Sequence, residues 1–346
     1  MRIAFLLPAP FEAISGGYGY DRRLVAGLRG LGHTVDVIEL AGRHPLPDDA
    51  ALASARAALA GIAEGTRIVI DGLGLPAFAP LADELARRGA VGLIHHPTAL
   101  EHGNPGPVRD ALRDAERAIF PRLGRLVATS ALTARRLPEE FGVDPTRIGV
   151  VAPGTDPAPR APGSGGPGCA ILAIGTLVPR KGHDVLLKAL ATLPDLDWTL
   201  TIAGAPRDAV HADGLRALAE DLGIAQRVAF AGEVQPDALD ALWRGADLFA
   251  LATYWEGYGM AAAEALARGI PVAITTGGAI AEVVPIAAGV IAPPGEVVSL
   301  GKAMRRAIFD TDLRAEMAAA SWEAGQKLPR WEDRATAFAA ELDQTR

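Results

Sequence analysis

Short apolar runs and longer Ala-rich or amphipathic stretches take turns along this chain. A short run that is apolar at nearly every position reads as a strand covered on both faces, and apolar residues at helical spacing read as a helix. Strands are expected at 2–7, 34–39, 67–70, 91–94, 125–129 and 148–152, and again at 169–174, 198–203, 227–231, 247–252 and 271–275. Helices are expected between them at 21–31, 50–64, 81–88, 108–118 and 130–141, then at 184–193, 215–222, 236–244, 260–268 and 329–342. Strand and helix in regular alternation predict an α/β protein with parallel sheets.

The alternation breaks once. Residues 157–168 read P-A-P-R-A-P-G-S-G-G-P-G, the strongest linker signal in the chain. It separates a first domain, 1–157, from a second, 169–328, with 158–168 as the connection. A length of 346 residues suits two α/β domains.

Composition narrows the function classes. One cysteine, Cys169, excludes an internal disulfide framework and fits a reducing compartment. Residues 3–7 are apolar but end at Pro8 and Pro10, too short for the apolar core of a signal peptide. No run reaches the length of a membrane span, so a cytoplasmic location is expected. The net charge is −7, and residues 1–160 carry 18 basic and 18 acidic side chains, the basic ones all Arg. The excess acid therefore lies in the second half, and neither half has the basic field of a nucleic-acid binder. Abundant Ala, Arg and Gly with scarce Lys suggest a GC-rich bacterial genome.

The chemistry concentrates in 247–284, which parses as strand, loop, helix and strand. Glu256 falls in the loop at the carboxyl end of a parallel strand, where open α/β sheets bind ligands. Gly257 and Gly259 let backbone N–H groups approach an anion at the N-terminus of the next helix. Glu264 interrupts the apolar run M-A-A-A-E-A-L-A, and a carboxylate in so apolar a helix needs a partner. Trp255 and Tyr258 offer flat apolar faces. Carboxylates for hydroxyls and a helix end for negative charge suit a polyhydroxyl ligand attached to a phosphate.

Other loops at the same sheet edges add to this. In G-T-L-V-P-R-K-G-H, Gly175 to His183, two cations precede a helix whose dipole disfavours them unless an anion lies between. Arg180 and Lys181 are therefore a candidate diphosphate clamp. Gly16-Gly17-Tyr18-Gly19 lies between the first strand and first helix, the place for a phosphate or simply a mobile turn. Asp71-Gly72 ends the third strand, and His95-His96 follows the fourth. Neighbours on a strand point opposite ways, and no Cys, Asp or His stands at ligand spacing nearby in sequence, so zinc is disfavoured and no metal site is expected. Arg109, Arg113 and Arg117 recur at i,i+4 on a helix, an ion-paired solvated face or else a contact for anionic membranes. Asp195-Leu196-Asp197 precedes a strand, on the wrong edge for the site, and reads as a turn. No G-x-G-x-x-G follows a strand, which removes a dinucleotide-binding dehydrogenase.

Glu256-x7-Glu264, within E-G-Y-G-M-A-A-A-E-A-L-A-R-G-I-P-V, resembles the signature of glycosyltransferase family 4, retaining enzymes of GT-B fold. The loop with Arg180 and Lys181, the Gly16-Gly17 pair, Pro153-Gly154-Thr155-Asp156, 277–282 and 289–295 resemble the same family. The resemblance implies two Rossmann-like doubly wound domains facing across a cleft, with 329–346 packing back on the first. It implies transfer of a hexose-type sugar from a nucleotide-diphosphate donor to a polysaccharide, lipid-linked or small-molecule acceptor, without an obligatory metal or other cofactor. Donor contacts would come from Gly16, Gly17, Gly175, Arg180, Lys181, Gly204, Glu233, Val234, Glu256, Gly257, Tyr258, Gly259, Met260 and Glu264. Glu256 would hold sugar hydroxyls and Glu264 the ribose. His95, or His96 after a one-residue shift, would stand near the reacting sugar, and the catalytic set would be His95, Glu256, Arg180 and Lys181. Tyr18, Asp71 and His96 are acceptor-side candidates. No residue presents itself as a covalent nucleophile, and a front-face reaction with the leaving phosphate as base would need none. Peripheral contact with the inner face of a membrane is compatible with this. The alternative is a nucleotide-sugar-binding protein of the same fold that does not catalyse.

Overall fold

The computed structural model describes residues 1–345. The chain forms two compact units, Met1–Gly154 with the C-terminal residues from 329 onward, and Thr155–Leu328.

The first unit runs β1 (Arg2–Pro8), α1 (Gly16–Gly30), β2 (Thr34–Leu40), α2 (Asp49–Gly61), β3 (Arg67–Asp71), α3 (Ala82–Arg87), β4 (Val91–Ile94), α4 (Gly106–Ile119), β5 (Arg125–Ala128), α5 (Ala131–Phe141) and β6 (Ile148–Val150). Its sheet has the order β2-β1-β3-β4-β5-β6 with every neighbouring pair parallel. Helices cover both faces, so β4 and β5 are buried at all four positions and read as unbroken apolar runs. The strand order reverses between β1 and β3, and the crevice beyond their carboxyl ends is where such sheets take ligands.

One element starts earlier than its sequence suggests. α1 begins at Gly16, not at 21, because the Ser15 hydroxyl caps it by accepting from the Tyr18 N–H at 3.4 Å. The Gly16-Gly17 pair is therefore the first turn of a helix and not a loose loop.

The second unit runs β7 (Cys169–Ile174), α6 (His183–Ala191), β8 (Trp198–Ala203), α7 (Ala209–Asp221), β9 (Val228–Gly232), α8 (Pro236–Arg244), β10 (Leu248–Leu251), α9 (Met260–Ala267), β11 (Val272–Thr275), α10 (Ile280–Val283), β12 (Gly289–Ala292), α11 (Val297–Phe309) and α12 (Thr311–Gly325). Its parallel sheet has the order β12-β11-β10-β7-β8-β9, so the reversal falls between β7 and β10. α7 starts six residues earlier than the sequence reading has it because Asp208 caps it through the His211 N–H at 3.0 Å. The sequence reading assigned nothing to α10, β12, α11 or α12. α11 and α12 abut without Gly or Pro between them, and Asp310 caps the second through the Leu313 N–H.

Residues 158–168 lie against this second unit. The Ala161 N–H donates to the Arg268 carbonyl at 2.8 Å, and the Asp247 carboxylate accepts from Ser164 and from the Ala170 N–H. Asp195 pairs with Arg305 through both guanidinium nitrogens at 2.7 and 2.8 Å, at the amino end of β8 and away from the ligand edge.

α13 (Trp331–Asp343) belongs to the first unit and packs on α1. Gly27 makes this approach possible, since an added Cβ would lie 2.5 Å from that of Ala335. Phe338 and Leu342 are fully buried, and Glu341 pairs with Arg125 of β5. The last helix thus packs back on the first domain, as the resemblance implies. No helix among the described residues is long and apolar enough to cross a membrane.

Candidate functional site

The second unit gathers its charged residues at the β7/β10 reversal. The loop after β7 carries Arg180 and Lys181 in a short 3-10 turn. Gly182 then takes φ +63°, and its missing side chain lets the loop rest on β10: a Cβ there would lie 2.0 Å from the Ala252 carbonyl oxygen. The loop after β10 carries Glu256, whose N–H donates to the Gly277 carbonyl at 3.0 Å and whose carbonyl accepts from the Ala279 N–H at 2.8 Å. These bonds fix a residue whose side chain is only 11% exposed.

The two loops meet through charge. Lys181 Nζ donates to Glu256 Oε1 at 2.6 Å, and Arg180 lies 3.6 Å from the same oxygen. The Arg180 guanidinium also donates to the Trp255 carbonyl at 3.2 Å. Burial alone would raise the Glu256 pKa, but the two cations outweigh it and hold the carboxyl below the usual range. His183, the first residue of α6, is buried, and burial together with Lys181 lowers its pKa to about 4, so it is a neutral imidazole. Two positive groups and one carboxylate leave the cluster net positive, suited to an anion.

The other expected donor residues of this unit have distinct places. Gly175 and Gly204 lie back to back at the carboxyl ends of β7 and β8: a Cβ on Gly204 would lie 1.9 Å from the Gly175 carbonyl oxygen, and one on Gly175 would meet the Lys181 stem at 3.1 Å. Gly257 and Tyr258 are half-buried in the loop before α9, Gly259 precedes that helix with φ +106°, and Met260 is its first residue. Glu264 is half-buried one turn further in. Glu233 and Val234 follow β9, the sheet's edge strand, and Glu233 is exposed. The geometry thus joins Arg180, Lys181 and Glu256 directly, while Glu233 stands two strands from the reversal.

The first unit assembles a separate cluster at its own reversal. His95 Nε2 lies 3.1 Å from Asp21 Oδ1 and 3.3 Å from Asp71 Oδ2. Asp71 ends β3, His95 follows β4 and Asp21 is on α1, so three elements converge. Gly17 lies over the ring: a Cβ there would sit 3.4 Å from His95 Cδ2. Tyr20 packs edge-on against the same ring with centroids 5.2 Å apart, and its hydroxyl donates to the Val151 carbonyl. Burial works against a charged His95, but the Asp21 and Asp71 carboxylates outweigh it and raise its pKa to about 10. Burial raises the Asp21 carboxyl to about 6 although His95 opposes it. The three polar atoms lie within 4.8 Å of one another, close enough to surround a cation or to share a proton carried on Nε2.

His96 turns elsewhere, 3.9 Å from Glu101, so His95 and not His96 joins Asp21 and Asp71. Tyr18 is buried, with its hydroxyl donating to the Pro8 carbonyl at 2.9 Å.

Two residues escaped the sequence reading. In sequence, Asp21 reads only as a helix start, and Glu116 only as part of a charged helix. Glu116 is fully buried and accepts from the Thr98 N–H, the Thr98 hydroxyl and the Ala99 N–H at 2.6, 2.7 and 3.2 Å, pinning the segment just after His95. Both lay in view as acids on apolar stripes: Asp21 with Leu24, Val25 and Leu28, and Glu116 with Leu112 and Ile119. On α4, Arg113 pairs with the Glu140 carboxylate at 3.9 Å, while Arg117 donates to the Glu140 backbone carbonyl.

Known proteins resemble the chain throughout. The model of the glycosyl transferases group 1 matches residues 160–323, and that of glycosyltransferase family 4 matches residues 20–159. A D-inositol 3-phosphate glycosyltransferase of Acidothermus cellulolyticus is 33% identical over 239 residues, 63% of this chain and 53% of that protein. The chain thus spans about half the length of the curated relatives it matches. Among solved structures, sucrose-phosphate synthase from Thermosynechococcus elongatus superposes with a TM-score of 0.81 at 19% identity, covering 99% of both chains. HepE of Anabaena, in complex with UDP-glucose, superposes with a TM-score of 0.77 at 19% identity, covering 99% of this chain and 100% of that one. The likeness confirms two Rossmann-like domains of the GT-B fold.

Proposed function

The chain belongs to the group 1, family 4 glycosyltransferases, matched over residues 20–323 by two adjoining models, and on that premise we propose that it moves a hexose-type sugar from a nucleotide-diphosphate donor to an acceptor hydroxyl with retention of configuration. The observation that carries this reading is the meeting of Arg180 and Lys181 with Glu256 at the β7/β10 reversal. An anion and a polyol would be served there side by side. The cations, with backbone N–H groups of 257–260, stabilise the diphosphate as it leaves. Glu256 holds sugar hydroxyls, and Glu264 holds the ribose. The first unit's own candidates are the Gly16-Gly17 turn and His95, with Tyr18, Asp71 and His96 on the acceptor side. The leaving phosphate itself takes the acceptor's proton on the front face, so no covalent nucleophile is needed.

A panel of nucleotide sugars, scored by thermal stabilisation, tests donor binding, since a ligand of the folded state raises apparent stability by mass action. UDP-glucose is the first member because the HepE neighbour holds it, and D-inositol 3-phosphate is the first acceptor because the relative's name carries it. Transfer should persist in EDTA; loss restored only by Mg²⁺ or Mn²⁺ would end the metal-free mechanism. Donor binding without transfer to any acceptor would favour a non-catalytic binder.

A further inference from the structure

Two carboxylates share one nitrogen in the first unit. His95 Nε2 faces both Asp21 and Asp71, which are 1% and 3% exposed. A histidine with a single carboxylate on one nitrogen can still release the proton of the other near pH 7, and the lone pair so freed is the arrangement of a general base. A second buried carboxylate changes the balance. A neutral ring would leave two negative charges close together in a poorly solvated place, whereas an imidazolium leaves one. Asp71 Oδ1 is already occupied by the Leu73 N–H at 2.9 Å, which turns Oδ2 toward the ring.

We propose that Asp21 and Asp71 are positioning residues that hold His95 as an imidazolium, so that Nδ1 donates a hydrogen bond to a substrate hydroxyl and does not act as a base. Both carboxylate contacts of the ring fall on Nε2, which leaves Nδ1 for a substrate, and the side chain is 19% exposed. The substrate role rests on the proposed transfer function; the protonation state does not. The charged and titratable groups around the ring are few. On α1, the Tyr20 hydroxyl donates a hydrogen bond to the Val151 carbonyl and is kept un-ionised by burial, while Arg22 is tied to the carbonyls of Phe11 and Ala13. Arg334 of α13 lies near Tyr20, His96 turns to Glu101, and His44 lies near Asp71, where burial lowers its pKa and favours the neutral ring. None of these supplies a further anion to Nε2 or competes with its two carboxylates.

The test is an NMR titration of the full chain labelled with ¹⁵N-histidine, without substrate. Both His95 ring nitrogens should remain protonated through about pH 8, beyond the range in which an ordinary histidine loses its charge. Asp71→Asn and Asp21→Asn should each lower the His95 midpoint by about one unit or more, the scale of a lost neighbouring charge. A neutral His95 at pH 7 in the wild type overturns the proposal, and so do folded variants with an unmoved midpoint. Stoichiometric Zn²⁺ displacing the Nε2 proton would overturn it as well, making the cluster a cation site. Where a variant fails to fold, the wild-type titration decides. Turnover gives a second readout: wild-type kcat/KM should show no limb from His95 between about pH 6 and 8. Asp71→Asn should instead lose activity as pH rises through the lowered midpoint, because the donor form disappears. A wild-type limb that rises with pH near the ordinary histidine value would mark His95 as a base. Because the resonances report protonation with no substrate present, they decide the proposal whatever becomes of the transfer reaction.

Discussion

Glu256→Gln should tighten the binding of UDP while impairing transfer. In the structure Glu256 Oε1 sits 2.6 Å from Lys181 Nζ and so opposes any second anion on that ammonium. A phosphate oxygen on the other side of Nζ, at about 2.8 Å, would lie about 5 Å from Oε1. Coulomb repulsion at that distance is about 3 kcal/mol per charge at an effective dielectric near 20. Residual solvent and the screening of both anions by Arg180 reduce it, so about 1.4 kcal/mol, a tenfold fall in Kd, is the working figure. The amide keeps the shape of the side chain and removes its charge. Calorimetry with UDP measures the gain directly. UDP-glucose should gain less or nothing, because its hydroxyls lose the carboxylate, and kcat should fall because the transferred sugar gains positive charge in the transition state. Weaker UDP binding in the variant would refute the reasoning, since it would mean that Glu256 organises the cations and does not oppose the anion.

Glu264→Gln should mainly raise the donor KM, because a ribose contact is made equally before and during transfer; a loss confined to kcat would reverse the roles of the two glutamates, with the exposed Glu220→Gln as control. Gly182→Ala should lower the stability of the second unit by at least about 1–3 kcal/mol in urea unfolding, since φ is +63° and the new Cβ would strike the Ala252 carbonyl; an unchanged midpoint would show that the loop moves freely. The Glu256 carboxyl lies below its unfolded value near 4.3, so its contribution to stability is whole above about pH 4.3 and is lost as pH falls through the depressed value. Lys181→Ala should therefore flatten that acid limb in unfolding curves taken at successive pH values, and an unaltered limb would show that Lys181 does not set the Glu256 pKa.

Much of the fold was legible because parallel strands buried on both faces leave unmistakable apolar runs: 91–94, 169–174 and 198–203 match observed strands residue for residue. The second unit's charged cluster was legible too. Loops at the carboxyl ends of β7 and β10 must share one edge, so Arg180, Lys181 and Glu256 could be brought together from topology alone. The first unit's cluster was not. Asp21, Asp71 and His95 lie 50 and 24 residues apart, and only the order β2-β1-β3-β4 makes them neighbours. The start of α1 was missed because glycines argue against helix while Ser15 capping overrides them. The run from 297 to 325 went unread because α11 passes into α12 with no breaker residue between.

The most direct measurement is calorimetric titration of the Arg180→Ala/Lys181→Ala double variant with whichever nucleotide sugar stabilises the wild type. Each cation should contribute about 1.5–3 kcal/mol through a charged hydrogen bond to the diphosphate. The account predicts a loss of donor affinity of at least about a hundredfold, in a protein whose circular dichroism matches the wild type. Donor binding at wild-type affinity in that folded variant would contradict it, because the diphosphate would then be held somewhere other than the β7/β10 reversal.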